Sequence, residues 1–232
     1  MILVRVPFRL SLFGGGSDFP SWFLEHGGAV LAGTIDRYCH VSARWLPPFF
    51  AHRSRIVWSK IELVKNRSEI EHPAVRAALE MLDIEDGVEI HHDGDLPARS
   101  GIGSSSAFAV GLLHALHALK GEFVGPERLA EEAIRLERDI LVEPVGCQDQ
   151  LLCALGGLRL ITWEPGGAWR ADPVPLAPGL LRAFEERLLL VYTGPRREGA
   201  APILPAAGQN AAALARIQAM PSEGAAYLAA AA

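Results

Sequence analysis

Residues Pro97-Ala98-Arg99-Ser100-Gly101-Ile102-Gly103-Ser104-Ser105-Ser106-Ala107 set two glycines and three consecutive serines at the head of an apolar run that reaches Lys120 and stops at Gly121. Glycines two apart let the backbone approach a ligand closely, and the serines stand where a helix leaves its first amides unpaired. A helix N-terminus carries about half a positive charge, so this arrangement suits a phosphate group. The same residues also make an ordinary Gly/Ser turn with a serine N-cap.

Glu137 is the carboxylate whose position asks for a chemical explanation. On a helix over 126–141, with Ala130 at zero and about 100° per residue, Ile134, Leu141 and Ala133 fall within about 60° of it. Leu129, Leu136 and Ile140 widen that apolar arc, while Glu131, Glu132, Arg135, Arg138 and Asp139 take the opposite face. Glu137 lands at about −20°, among the apolar residues. A carboxylate buried without a partner is costly, so it calls for a metal ion or an arginine unless that turn lies at a wet domain edge. Asp149 follows in Gly146-Cys147-Gln148-Asp149-Gln150, at the start of a short helix. There it is either an acid favoured by the helix dipole or a carboxylate that orients a substrate hydroxyl and accepts its proton. Arg9 and Asp18 flank Gly14-Gly15-Gly16, a break that is either a surface turn or a polyol-binding loop, with Arg9 pairing an anion or a carboxylate.

The elements that must position these groups are legible as patterns. Strand-like segments cover 4–6, 41–45, 55–58, 88–91 and 158–163, with an apolar stretch over 29–32. Helical patterns cover 72–82, 105–120, 126–141 and 148–155, the last closed by Gly156-Gly157. One more strand is expected over 187–192, opening another unit. Strands first and helices mixed in later predict an α+β fold. His91-His92-Asp93 reads as a strand end rather than a metal site.

Composition narrows the class. The 232 residues suffice for one large domain or one and a half, and 50% hydrophobic with 21% charged residues is ordinary for a globular protein. A net charge of −5 disfavours non-specific nucleic-acid or anionic-membrane binding. No apolar run reaches a membrane span, and residues 1–7 are too short and too early charged for a signal peptide. Cys39, Cys147 and Cys153 lack metal-ligand spacing and read as reduced thiols of a cytoplasmic protein. Alanine supplies 13 of the last 27 residues, with at most a helical remnant over 211–220; a truncated second domain is the expectation.

Together these segments resemble the GHMP kinases, which include galactokinase, homoserine kinase and mevalonate kinase. Residues 97–107 are similar to the family's phosphate loop, with Ile102 in place of a leucine. No Gly-Lys-Ser/Thr follows, which sets the loop apart from the P-loop pattern, and Ser106 replaces the third glycine of a dinucleotide fingerprint. Residues 7–19, Pro-Phe-Arg-Leu-Ser-Leu-Phe-Gly-Gly-Gly-Ser-Asp-Phe, align without gaps on the sugar-kinase N-terminal signature. Galactokinases carry a glutamate at the position of Gly15; its loss suits a substrate bearing its own phosphate. Residues 13–20 and 143–150 are close to the D-glycero-α-D-manno-heptose 7-phosphate kinases, although the usual lysine before Gln148 is Cys147.

The resemblance implies a GHMP kinase N-terminal domain over 1–185, ribosomal protein S5 domain 2-like, and an incomplete ferredoxin-like C-terminal domain over 186–232. It implies that Pro97, Ser100, Gly101, Ile102, Gly103, Ser104, Ser105 and Ser106 bind ATP, and that Ser105 and Glu137 hold Mg²⁺. Asp149 would be the catalytic base and Arg9 its orienting partner, while Gly15, Gly16, Ser17 and Asp18 would hold sugar hydroxyls. The adenine pocket would lie near Val57 to Val64. The implied reaction moves the γ-phosphoryl group of ATP to the C1 hydroxyl of a sugar phosphate. A non-catalytic sugar or nucleotide sensor, or a remnant of the same fold, is the alternative. The family's glycine-rich C-terminal motif has no counterpart here.

Overall fold

The computed structural model describes residues 1–97, 100–191, 194 and 211–230. The chain forms two compact units and crosses between them repeatedly. Unit 1 comprises Met1–Phe8, Ile35–Val145 and Asp149–Leu155; unit 2 comprises Arg9–Thr34, Gly146–Gln148 and Gly156–Ala232. A boundary after residue 185 would fall inside unit 2. Two long strands, β1 (Ile2–Phe13) and β2 (Gly28–Trp45), contribute to both units.

In unit 1, β3 (Ser54–Val57), β4 (Ile61–Val64) and β5 (Val88–Gly94) join the 35–45 half of β2 in the order β4-β3-β5-β2. β5 runs antiparallel to β2, with Cys39 opposite Gly94 and Trp45 opposite Val88. β3 lies parallel to β5, Ile56 opposite Ile90. Strand alternation puts Val4, Val6, Phe8, Val41, Ala43, Ile56 and Ile90 into one core with α2 (Pro73–Met81), α3 (Ser104–Lys120) and α4 (Pro126–Ile134). Leu112, Leu113 and Leu116 of α3 are fully buried, each contributing roughly 1.5–3 kcal/mol of transfer free energy. Gly111 permits the close helix–sheet approach, because a Cβ there would lie 3.1 Å from both Val6 and Val41. The helix ends at Gly121, left-handed at φ 77°, whose amide donates to the Ala118 carbonyl.

In unit 2, the 28–33 half of β2 pairs antiparallel with β6 (Leu158–Trp163), and β6 with β7 (Trp169–Pro173). Phe23, on α1 (Pro20–His26), stacks on Trp163 at 5.6 Å between ring centroids. α6 (Pro178–Glu185) precedes α7 (Ala211–Ala230), which is longer than the 211–220 remnant expected and continues through Pro221. Tertiary contacts hold it: Trp22 Nε1 donates to Gln218 Oε1 at 2.8 Å, and Gly224 abuts Phe13 and Leu31.

Two expectations need correction. Residues 187–191 are not a strand; Leu188, Leu189, Leu190 and Val191 are exposed, and no neighbouring strand among the described residues takes their hydrogen bonds. Tyr192, the last residue of that expected strand, lies outside the described residues. The helix expected over 126–141 is α-helical only to Ile134, then π-helical over Arg135–Ile140, where the Leu141 amide donates five residues back to Leu136. Cys39, Cys147 and Cys153 are buried, and burial pushes Cys39 up to about 12. His91 and His92 lie on β5 as expected.

Candidate functional site

The phosphate-loop candidate belongs to unit 1. Its described residues turn through two left-handed glycines, Gly101 at φ 76° and Gly103 at φ 74°, conformations that side chains rarely adopt. Gly103 is the N-cap of α3 and makes no side-chain cap, so the first α3 amides keep their polarity for another acceptor. The Ser100 hydroxyl donates to the Pro97 carbonyl at 2.5 Å. Ile102 is buried in the core, so its side chain anchors the loop and only its backbone is available to a ligand. Ser105 is exposed and Ser104 half-buried at the helix start. Ala98 and Arg99 lie outside the described residues.

Glu137 sits beside this loop in the π-helical turn, only 3% exposed. Its Oε2 accepts from Ser106 Oγ at 2.7 Å and from Gln150 Nε2 at 2.6 Å, and Ser105 also bonds the carboxylate. Burial holds its pKa above the usual carboxylate range; these hydrogen bonds oppose that, and the Asp149 charge adds to it. The three hydrogen-bond donors are neutral and the nearby charge is of like sign, so the donor set fits a hard divalent cation. Ser106, expected among the ATP-binding residues, has its hydroxyl committed to Glu137. Asp149 opens α5 (Gln148–Leu155), half-buried, one residue before Gln150.

Gln150 was not among the expected site residues. It is a wholly buried amide that follows Gln148 and Asp149 and precedes Leu151 and Leu152. As the last of three polar residues it carries no sequence signal of burial like the one that marks Glu137. Near the expected adenine region, Trp58, His72, His92 and Phe108 form a chain of ring contacts at 4.8, 5.0 and 4.3 Å. Trp58 Nε1 donates to the buried Glu62 at 2.8 Å.

The polyol-loop candidate belongs to unit 2. Gly14 has φ 89°, and a Cβ there would lie 2.0 Å from the Ala29 carbonyl oxygen, so only glycine fits. Gly16, at φ 100°, donates its amide to Asp18 Oδ1 at 2.9 Å. Asp18 Oδ2 accepts from the Gln148 amide at 3.3 Å, and its carbonyl accepts from the Cys147 amide. Gly146 is required there, since a Cβ would meet Asp18 Oδ2 at 1.9 Å. Asp18 therefore ties the Gly14–Gly16 loop to the segment that leads into Asp149. Ser17 is fully buried, its hydroxyl 2.8 Å from the Gly14 and Ala29 carbonyls, so it latches the loop from within instead of facing a sugar. Gly15 would tolerate a side chain, with neighbours no closer than 3.5 Å to a Cβ. Arg9 is half-buried on β1.

A mixed sheet covered by helices, with a glycine-serine loop feeding a buried helix, is the fold of the GHMP kinase N-terminal domain. Residues 58–157 match the family model of the GHMP kinases N terminal domain. It is 24% identical over 212 residues to the D-glycero-alpha-D-manno-heptose 7-phosphate kinase of Campylobacter jejuni, a match covering 85% of this chain and 61% of that protein. It is 28% identical over 213 residues to the bifunctional fucokinase/GDP-fucose pyrophosphorylase of Arabidopsis thaliana, covering 82% of this chain and 20% of that one. A crystal structure of a D-glycero-D-manno-heptose 1-phosphate kinase from Bacteroides thetaiotaomicron superposes with a TM-score of 0.70 at 24% identity, over 78% of this chain and 62% of that one. The chain thus spans about three fifths of the length of the heptose kinases it matches. Among the described residues, no helix is long and apolar enough to cross a membrane.

Proposed function

We propose that this chain is the ATP- and acceptor-binding part of a sugar kinase that phosphorylates the C1 hydroxyl of a sugar phosphate, with a heptose 7-phosphate as the favoured acceptor. The observation that carries the reading is the buried Glu137 carboxylate, held by neutral donors beside an uncapped, glycine-rich helix start. In this reading the Gly101–Gly103 backbone and the first α3 amides cradle the ATP phosphates. Ser105 and Glu137 hold Mg²⁺, which when bound offsets phosphate charge. Asp149 takes the proton of the acceptor hydroxyl as the new O–P bond forms and the bond to the ADP leaving oxygen breaks. Arg9 orients Asp149, and the Gly15 and Gly16 amides with Asp18 frame the sugar. The missing carboxylate at Gly15 favours an acceptor that brings its own negative charge.

The test is a coupled ADP-release assay on the full chain with Mg²⁺-ATP and heptose 7-phosphate, mannose or galactose. ADP release with heptose 7-phosphate should fall by at least about 10³-fold in Asp149→Asn while nucleotide binding persists. A folded chain silent on every acceptor would favour the sensor reading instead.

A further inference from the structure

We propose that Gln150, together with Ser106, is a positioning residue that fixes Glu137 in the one orientation able to receive a divalent cation; this rests on the kinase reading above. Ser106 comes from α3 and Gln150 from α5, yet both donate to the same oxygen, Glu137 Oε2. Two donors from different helices on one oxygen fix the plane of the carboxyl group and leave Oε1 outside the clamp. Second-layer partners of this kind orient metal ligands and raise their affinity.

Gln150 also carries a signal that a purely structural amide would lack. Its Nε2 is engaged, but its Oε1 is buried and has no hydrogen-bond partner among the described residues. Native proteins rarely leave such an acceptor unmet. The covalent span of the amide keeps this oxygen within a few Å of the Glu137 carboxylate. Mg²⁺ retains several of its waters when bound, and a metal-bound water is the donor that this oxygen lacks. One amide would then serve the ligand and its hydration shell together.

The experiment titrates Mn²⁺ into the full chain by electron paramagnetic resonance, with a non-hydrolysable ATP analogue present. Gln150→Leu keeps the volume and removes the amide; it should weaken Mn²⁺ by about tenfold or more. Affinity for the analogue in EDTA should not change, a split that general damage would not produce. Ser106→Ala removes the other arm and should act in the same direction, so the test survives if Gln150→Leu fails to fold. A folded variant that binds Mn²⁺ as tightly as the wild type, or that loses metal-free nucleotide affinity in parallel, overturns the proposal. A wild-type chain with no Mn²⁺ affinity overturns the kinase reading itself, and the clamp with it.

Discussion

Glu137 is poorly placed for stability, and that is the reason to connect it with function. Burial raises its pKa above the ordinary carboxylate value of 4.5, so the folded chain binds that proton more readily than the unfolded chain. Its contribution to stability is therefore lost as pH rises from about 4.5 through the raised folded value. Glu137→Gln keeps a hydrogen-bonding side chain and removes the charge. In metal-free buffer at pH 7 it should melt higher than the wild type. The gain should shrink as pH falls to 4.5 and vanish below it, where the wild-type carboxyl becomes protonated in both states. Paired thermal melts across that range check it, and a lower melting point at pH 7 would show that the native fold wants the charge without any metal. Glu137 was legible from helical geometry alone. Its partners were less so: Ser106 and Gln150 stand 31 and 13 residues away, and which serine turns inward depends on how α3 meets the π-helical turn.

At the scale of elements, the junction of β5, α2 and α3 carries a pH-dependent contact. His72 caps α2, its Nδ1 3.5 Å from the Val75 amide, and its ring lies against Phe108, as does that of His92. Burial pushes His92 down to about 4, helped by the neighbouring His72 and opposed by Asp93. A histidine depressed in the folded state stabilises above its ordinary value of 6.5, and that stability is lost as pH falls towards 4. The loss should be on the order of 2–3 kcal/mol across that window. His92→Gln should flatten the melting temperature between pH 6.5 and 4, and an unchanged pH slope would remove His92 from the account. The elements here were largely readable: helices over 72–82 and 105–120 appear as Pro73–Met81 and Ser104–Lys120, and the strand over 158–163 as β6. β2 was seen only at its ends, 29–32 and 41–45, because between them residues 33–38 are all half-buried or exposed and show no alternation of buried and exposed positions. The π-helical turn left no residue signature, since a bond shifted by one position changes no side-chain type. Residues 187–191 misled because an apolar run reads as a strand whether or not a partner exists.

For the whole molecule the question is whether binding at the phosphate loop is felt throughout the chain. Both β1 and β2 contribute residues to each unit, and the chain re-enters unit 1 for Asp149–Leu155 after only three residues in unit 2. Neither unit is a continuous stretch that can be excised, so a single cooperative transition is expected. Tryptophans lie in both: Trp45 and Trp58 in unit 1, Trp22, Trp163 and Trp169 in unit 2. A non-hydrolysable ATP analogue with Mg²⁺ at a hundredfold over its Kd should add about 2.7 kcal/mol, a rise of roughly 5–11 °C for a chain of this length. Fluorescence of wild type, and of a Trp22→Phe, Trp163→Phe, Trp169→Phe variant that reports unit 1 alone, should show the same midpoint and the same shift. A midpoint that moves only in the unit 1 reporter would mean that nucleotide binding and the Asp18-tied loop are uncoupled. A broad melt indifferent to nucleotide and metal would leave a fold that has kept the residues of a kinase without the energy to use them.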